Sequence, residues 1–312
     1  MKKIFIDGSA GTTGLRIHER LAAREDIEVI TLSDDKRKDS EARRRAINES
    51  DVTFLCLPDA AAIEAVGMVE NPNTVIIDTS TAHRTESHFA YGFPELDKSF
   101  YEKIKNSKRI AVPGCHAGGF IALVYPLIEA GLISSDTSLF CHSVTGYSGG
   151  GKKMIAEYEE EPDELLSAPR QYGLTQTHKH LKEMKAITGI SDFPIFTPVV
   201  SNFYSGMTVT VPLFKKDLNG TVEDIKAVYR KKYNSPIVFF EEEASADGFV
   251  SGVSMAGLDS MKIAVAGNED RILLIAQYDN LGKGASGAAV ECLNIVLGVD
   301  DATGLELKER TL

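Results

Sequence analysis

Lys3-Ile4-Phe5-Ile6-Asp7-Gly8-Ser9-Ala10-Gly11-Thr12-Thr13-Gly14-Leu15 runs a short apolar segment straight into three spaced glycines, then into a helical pattern carried by Leu15, His18 and Leu21. Strand, glycine loop and helix in that order make the context that cradles phosphate. Glycine lets backbone N–H groups approach a pyrophosphate, and the helix N-terminus adds its dipole. The spacing is G-x-x-G-x-x-G rather than G-x-G-x-x-G, so a plain tight turn between strand and helix competes with a dinucleotide loop, and the flanking elements favour the loop. About 20 residues further on, Ser33-Asp34-Asp35-Lys36-Arg37-Lys38 ends the second strand-like run. An acid there suits the ribose hydroxyls of NAD, whereas Ser33, Lys36 and Arg37 suit the 2′-phosphate of NADP. A solvated charge run is the plain alternative.

Outward from this loop, Lys3 to Ile6, Glu28 to Leu32, Val52 to Leu57, Val75 to Asp78 and Arg109 to Val112 read as strands alternating with helical patterns. That alternation predicts a parallel sheet with crossover helices. From about residue 118 the pattern changes, with longer strands at Leu139 to Val144, Ile195 to Val200 and Met207 to Leu213. Lys262 to Ala266 and Arg271 to Tyr278 flank Gly267-Asn268-Glu269-Asp270 as an antiparallel hairpin. Thr221-Val222-Glu223-Asp224-Ile225 opens a helix with a capping-box-like start. Ala285 to Leu297 is an apolar helix that must pack on something, and it is placed against the first domain. The reading is a first domain over residues 1–117, completed by a C-terminal helix at 285–312, and a second domain over 118–284.

The 312 residues are 43% apolar and 25% charged, ordinary globular composition, with a net charge of -11. That charge argues against a nucleic-acid surface or an anionic membrane, since either needs a basic face. A small anionic substrate stays open, because local Lys, Arg and backbone N–H groups can oppose the global sign. Cys56, Cys115, Cys141 and Cys292 are widely spaced, which suggests neither a disulfide framework nor a zinc knuckle. No stretch approaches the length of a membrane span and the N-terminus lacks a long apolar run, so a cytoplasmic protein without metal is expected.

Chemistry concentrates around Ala111-Val112-Pro113-Gly114-Cys115-His116-Ala117-Gly118-Gly119, which puts a cysteine at the start of a helix. Unpaired N–H groups and the positive end of the dipole favour thiolate there; a small buried hydrophobe is the plain alternative. His178 and His180 lie in Tyr172-Gly173-Leu174-Thr175-Gln176-Thr177-His178-Lys179-His180-Leu181-Lys182-Glu183 at the start of a further helix. A thiol and an imidazole are the parts of nucleophilic catalysis. For His18, His83, His88, His116 and His142 ordinary packing is the reading kept. Thr145-Gly146-Tyr147-Ser148-Gly149-Gly150-Gly151-Lys152-Lys153 is either an anion nest, with Ser148 and Gly149 touching substrate, or a flexible loop.

Asp78-Thr79-Ser80-Thr81-Ala82-His83-Arg84, Tyr91-Gly92-Phe93-Pro94-Glu95-Leu96, Pro113-Gly114-Cys115, the Tyr172 to Glu183 segment and Asp279-Asn280-Leu281-Gly282-Lys283-Gly284-Ala285-Ser286-Gly287 together resemble the N-acetyl-gamma-glutamyl-phosphate reductases of arginine biosynthesis, in the shorter branch of that family. The matches run from residue 4 to about residue 295. The resemblance implies an α/β fold, a Rossmann-type dinucleotide-binding domain plus an α+β substrate and dimerisation domain with a largely antiparallel sheet. It implies an NADPH-dependent reduction of an acyl phosphate with Cys115 as nucleophile and His180 as general acid/base. It further implies that His178 and Tyr172 line the substrate site, that Gly8, Gly11, Thr12, Thr13 and Gly14 hold the pyrophosphate, that Ser33 and Arg37 lie near the 2′-phosphate and that Asn280 lies near the nicotinamide. Arg84 is a candidate for an anionic group of the substrate or for an internal ion pair. A homo-oligomer, dimer or tetramer, is the family expectation. Two departures stand out: His116-Ala117-Gly118-Gly119 follows the cysteine, and Ser205 stands where longer members carry an arginine. An enzyme like aspartate-semialdehyde dehydrogenase, a carrier-linked glutamyl substrate and a non-catalytic NADP-binding regulator are the competing readings.

Overall fold

The computed structural model describes residues 1–160 and 163–309. The chain divides into two units, Met1–Pro113 with Ala285–Leu305, and Gly114–Gly284 with the residues from Glu306. Gly114 to Ala117, read with the first domain, fall in the second unit. Of the expected C-terminal helix over 285–312, only Gly287–Leu297 is α-helical. Gly298 ends it in the left-handed conformation, and the N–H groups of Glu306 and Lys308 bond Asp259 and Ser260 of the second unit. Residues 310–312 of that expectation lie outside the described residues.

In the first unit β1 (Lys2–Asp7), α1 (Thr12–Ala22), β2 (Ile27–Ile30), α2 (Ser40–Glu49), β3 (Val52–Leu55), α3 (Asp59–Gly67), β4 (Val75–Asp78), β5 (Ala90–Tyr91), α4 (Lys98–Asn106) and β6 (Arg109–Ala111) build a parallel sheet in the order β2-β1-β3-β4-β6-β5. Successive strand side chains point to opposite faces, and both faces are covered here. Ile4 and Ile6 feed one apolar layer with Ile17, Phe54, Ile77 and Leu293 of the returning helix, while Phe5 feeds the other with Ile47, Leu55 and Ala62. One buried ion pair crosses from sheet to helix. Arg43 of α2 donates from Nε (3.0 Å) and Nη2 (2.9 Å) to Oδ2 of Asp7 at the end of β1. Burial pushes the Asp7 carboxyl up and Arg43 pulls it down. Arg43→Ala would leave the carboxylate buried without its partner, and we expect a loss of about 3 to 5 kcal/mol in denaturant unfolding; a loss under 1 kcal/mol would mean that water replaces the guanidinium.

In the second unit α5 (Cys115–Glu129), β7 (Phe140–Gly146), α6 (Gly151–Glu159), β8 (Arg170–Gln171), α7 (His180–Thr188), β9 (Ile195–Ser201), β10 (Met207–Phe214), α8 (Val222–Lys232), β11 (Val238–Glu241), β12 (Met261–Gly267) and β13 (Arg271–Tyr278) follow in turn. The sheet order is β11-β12-β13-β10-β7-β9-β8, antiparallel except for β11 with β12 and β7 with β9. The expected hairpin is β12 and β13, and the expected cap is a full capping box between Thr221 and Asp224.

Helix α5 is apolar nearly all round and buried accordingly. Pro126 inside it has no N–H, so the carbonyl four residues back loses its helical partner. The hydroxyl of Tyr233 donates to that carbonyl, Ala122 O, at 2.7 Å, and Tyr229 donates to the next, Leu123 O, at 2.5 Å. Side chains from α8 and its end thus satisfy the interrupted ladder. The opposite sheet face is open, with Phe140, Ile195, Phe214 and Leu273 exposed on it.

Candidate active site

Gly114 is the N-cap of α5 and Cys115 its first residue, and the glycine brings no side chain of its own to cap the turn. The expectation of a thiol at a helix start holds in this geometry. The Gly114 N–H, which a helix leaves unpaired, donates to Glu183 Oε1 at 2.8 Å. Glu183 is buried on α7, one turn beyond His180, so a single carboxylate ties the Cys115 turn to the helix that His180 opens. Tyr278 braces the same turn: its hydroxyl accepts from Gly119 N–H (3.0 Å) and donates to the Cys115 carbonyl. A Cβ on Gly119 would lie 2.5 Å from that hydroxyl, and one on Gly284 would lie 3.1 Å from Cys115 Cβ. Both glycines are there for close approach.

Three imidazoles and a phenol gather within the unit. Ring centroids are 4.7 Å apart for His178 and His180, 5.6 Å for His116 and His180, and 6.0 Å for His178 with both His116 and Tyr172. His178 Nδ1 accepts the His180 backbone N–H at 3.2 Å, capping α7 from outside, and burial first and Lys179 second hold its pKa down. His116 is pushed down to about 3, by burial and then by His178, so it is neutral at working pH. Burial and the neighbouring Cys115 push the Tyr172 phenol up. His116 was expected only to pack; it stands inside the cluster, and the signal available was its place next to Cys115. Ser143 was missed too, although strand alternation puts this polar side chain on the buried face of β7.

Other expected residues are distributed differently. Tyr147–Gly150 is a 3-10 turn leading into α6, in place of a flexible loop. Ser148 is buried and Gly149 exposed. The Asn280 amide is engaged at both ends, donating to Ser148 Oγ at 3.0 Å and accepting from Gly206 N–H at 2.9 Å, so it fastens this turn. Ser205 donates to the buried carboxylate of Asp279 at 2.7 Å, which accounts for a small hydroxyl residue there.

In the first unit Arg84 donates to the carbonyls of Val112 (2.8 Å) and Thr79 (2.9 Å), clamping two strand ends. Asp78 accepts from Ser80 Oγ (2.7 Å) and lies 2.6 Å from His83 Nδ1. The glycine loop is tightly built. Gly8 has φ +89°, and a Cβ there would sit 2.3 Å from the Cys56 carbonyl. Gly11 caps α1 without a side chain, leaving the first-turn N–H groups uncapped. A Cβ on Gly14 would meet Gly8 O at 2.5 Å. Gly14→Ala is therefore expected to weaken dinucleotide binding at least about tenfold, measured by titration calorimetry; unchanged affinity would move the pyrophosphate off this loop. Beyond β2, Arg37 pairs with Asp34 at 2.6 Å on the surface, and a hydrogen bond from Ser33 holds Asp35 below the usual carboxylate range.

A thiol on a helix N-terminus, a histidine opening a second helix with another just ahead of it, and a separate unit of dinucleotide-binding type are the parts of a thiol-dependent dehydrogenase or reductase. Residues 3–106 match the model of the semialdehyde dehydrogenase NAD binding domain, and residues 115–280 that of the semialdehyde dehydrogenase dimerisation domain. The N-acetyl-gamma-glutamyl-phosphate reductases of Brucella ovis and Brucella suis are each 45% identical over 307 residues, spanning 95% of this chain and 99% of theirs. Among solved structures, aspartate semialdehyde dehydrogenase II of Vibrio cholerae superposes with a TM-score of 0.72 at 16% identity, over 96% of this chain and 98% of that one. The NADP-bound aspartate semialdehyde dehydrogenase of Candida albicans superposes with 0.67 at 16%, over 95% and 98%. The chain belongs to the semialdehyde dehydrogenase family and, within it, to the N-acetyl-gamma-glutamyl-phosphate reductases.

Proposed function

We propose that this protein reduces N-acetyl-L-glutamyl 5-phosphate to N-acetyl-L-glutamate 5-semialdehyde and phosphate with NADPH, through a thioester on Cys115. The observation that carries the reading is end-to-end relatedness to reductases named for that substrate, in a chain that keeps Cys115 at the first position of α5.

The residues present fit a dinucleotide. Gly8, Gly11 and Gly14 leave the backbone room that a pyrophosphate needs, and Thr12 and Thr13 open the helix whose N–H groups would face it. Ser33 and Arg37 would meet the 2′-phosphate. Bound NADPH supplies a hydride.

The chain's own groups do the rest. His180 takes the Cys115 proton, and the thiolate attacks the acyl carbon; the C–S bond forms, the C–O bond to phosphate breaks, and the proton on His180 passes to the departing phosphate. Backbone N–H groups in the first turn of α5 stabilise the oxyanion, a term worth about 3 to 4 kcal/mol. After reduction the thiohemiacetal collapses, the C–S bond breaks, and aldehyde and thiolate are released. His178, whose Nδ1 is held by the α7 backbone, stays neutral and lines the substrate site with Tyr172. Ser148 and Gly149 supply polar contacts from the turn before α6, and Arg84 shapes the loop ends of its own unit.

A second copy of the chain is the partner we assign, docked on the open sheet face of the second unit, where Phe140, Ile195, Phe214 and Leu273 are exposed. All four cysteines are free thiols, which suits the cytoplasm. Among the described residues no helix is long and apolar enough to cross a membrane. Phosphate-dependent reduction of NADP by N-acetylglutamate 5-semialdehyde, and not by aspartate semialdehyde, tests the reaction. Activity with the aspartyl substrate alone would overturn it.

A further inference from the structure

Ser143, His116 and Tyr172 form a chain of three buried or nearly buried polar side chains that the reaction above leaves unexplained. Ser143 Oγ lies 2.7 Å from His116 Nδ1, and Tyr172 Oη lies 2.7 Å from His116 Nε2. The ring is fixed further by Phe196, edge-on at 5.3 Å. The direction of the protons follows from what each end can reach. A buried hydroxyl proton needs an acceptor. Among the described residues the Ser143 hydroxyl has one hydrogen-bond partner, His116 Nδ1. If the hydroxyl donates there, Nδ1 is the lone-pair side, and a neutral imidazole then carries its proton on Nε2. That N–H donates to the Tyr172 oxygen. In the reverse arrangement Nδ1–H would point at Ser143 and strand the serine proton in the core.

We propose that Ser143 and His116 are positioning residues that fix the imidazole as the Nε2–H tautomer and thereby leave the Tyr172 O–H proton free to donate to an oxygen of the substrate at Cys115. The proposal rests on the reading of Cys115 as the acylated thiol. Burial supports it twice, keeping His116 uncharged and Tyr172 a phenol. A phenol that need not donate inward can donate where negative charge develops, on the acyl oxygen or the leaving phosphate. His116 acts through Tyr172 and touches no reacting atom.

The test is the nitrogen spectrum of full-length protein labelled with 15N-histidine, with the His116 signals assigned by their loss in His116→Gln. At neutral pH, Nε2 protonated and Nδ1 bare is the expected result, with the Nδ1 resonance moving in Ser143→Ala. An Nδ1–H tautomer or an imidazolium overturns the proposal. In the kinetic arm, His116→Leu and Tyr172→Phe should each lower kcat about 100-fold, the range for one donor to an oxyanion, with KM little changed. The double variant should be no worse than either single one. His116→Gln, which keeps an N–H toward Tyr172, should recover at least about tenfold over His116→Leu. Additive losses, or no recovery by Gln, overturn it as well. The spectrum is recorded without substrate. An inactive wild type with the Nε2–H tautomer would sink the reading of the reaction alone, and an active one with Nδ1–H would sink the relay alone.

Discussion

Cys115→Ser is expected to lower phosphate-dependent NADP reduction by at least about 10⁴-fold, the scale seen when a covalent nucleophile is removed, while NADP affinity stays at the wild-type value. The reason lies in which step each part serves. The thiol sits on α5 of the second unit, whereas the glycine loop belongs to the first. Serine fits the same space against Gly284, so Gly114 N–H to Glu183 and the Tyr278 brace survive the change. What is lost is an anion available near neutral pH, because the hydroxyl is a far weaker acid than the thiol. Initial rates with N-acetylglutamate 5-semialdehyde, set beside calorimetric NADP binding, separate the two. Retained activity would remove Cys115 from the chemistry; lost NADP binding would mean that the variant had disturbed more than one atom.

The second large effect falls on the histidine helix. His180→Asn is expected to slow turnover by roughly 10² to 10⁴-fold, the contribution of a general acid/base, and His178→Asn by no more than about tenfold. His180 is the first residue of α7, and Glu183 on the same helix is bonded to the turn that carries Cys115. His178 presents its Nδ1 lone pair to the His180 N–H, and protonating that nitrogen would break the cap. An asparagine oxygen can replace the cap but cannot take a proton near pH 7. A pH profile of kcat/KM for both variants checks the assignment. The reverse order of losses would transfer the acid/base role to His178.

Much of this was legible beforehand. Strand, glycine loop and helix at Lys3 to Leu21 specified the parallel unit, because both the turn chemistry and the buried strand are local. The strict alternation of Met207-Thr208-Val209-Thr210-Val211 marks a strand with one open face, and β10 is such a strand. Cys115 at a helix start followed from the Pro113-Gly114 turn between an apolar strand-like run and the apolar run Phe120 to Leu127. What stayed hidden depends on contacts distant in sequence. His116 reads as packing until β7 brings Ser143 and the Tyr172 segment brings its phenol to the two ring nitrogens. Asn280 is expected near the nicotinamide; its amide is held by Gly206 and Ser148, partners far away in sequence. Arg84 was a candidate for a substrate anion or for an internal ion pair, and the carbonyls it grips, at Thr79 and Val112, belong to two different strand ends that no local pattern could bring together. The expectation of helix to residue 312 overran Gly298, whose left-handed conformation ends the helix after Leu297.

Helix α5 is held along its length by phenols: Tyr278 at its first turn, then Tyr233 and Tyr229 where Pro126 interrupts it. Burial raises the Tyr278 and Tyr229 pKa values well above the ordinary phenol range. A phenol that must stay neutral when folded, and is free to ionise when unfolded, contributes stability that is whole below the unfolded pKa of about 10 and drains away as pH rises above it. The fold therefore carries an alkaline ceiling located on the helix that presents Cys115. With no tryptophan among its residues and 10 tyrosines, the chain reports that ceiling directly in ultraviolet phenolate absorbance: exposed tyrosines ionise first and reversibly, and the clamping pair ionises only as the helix lets go.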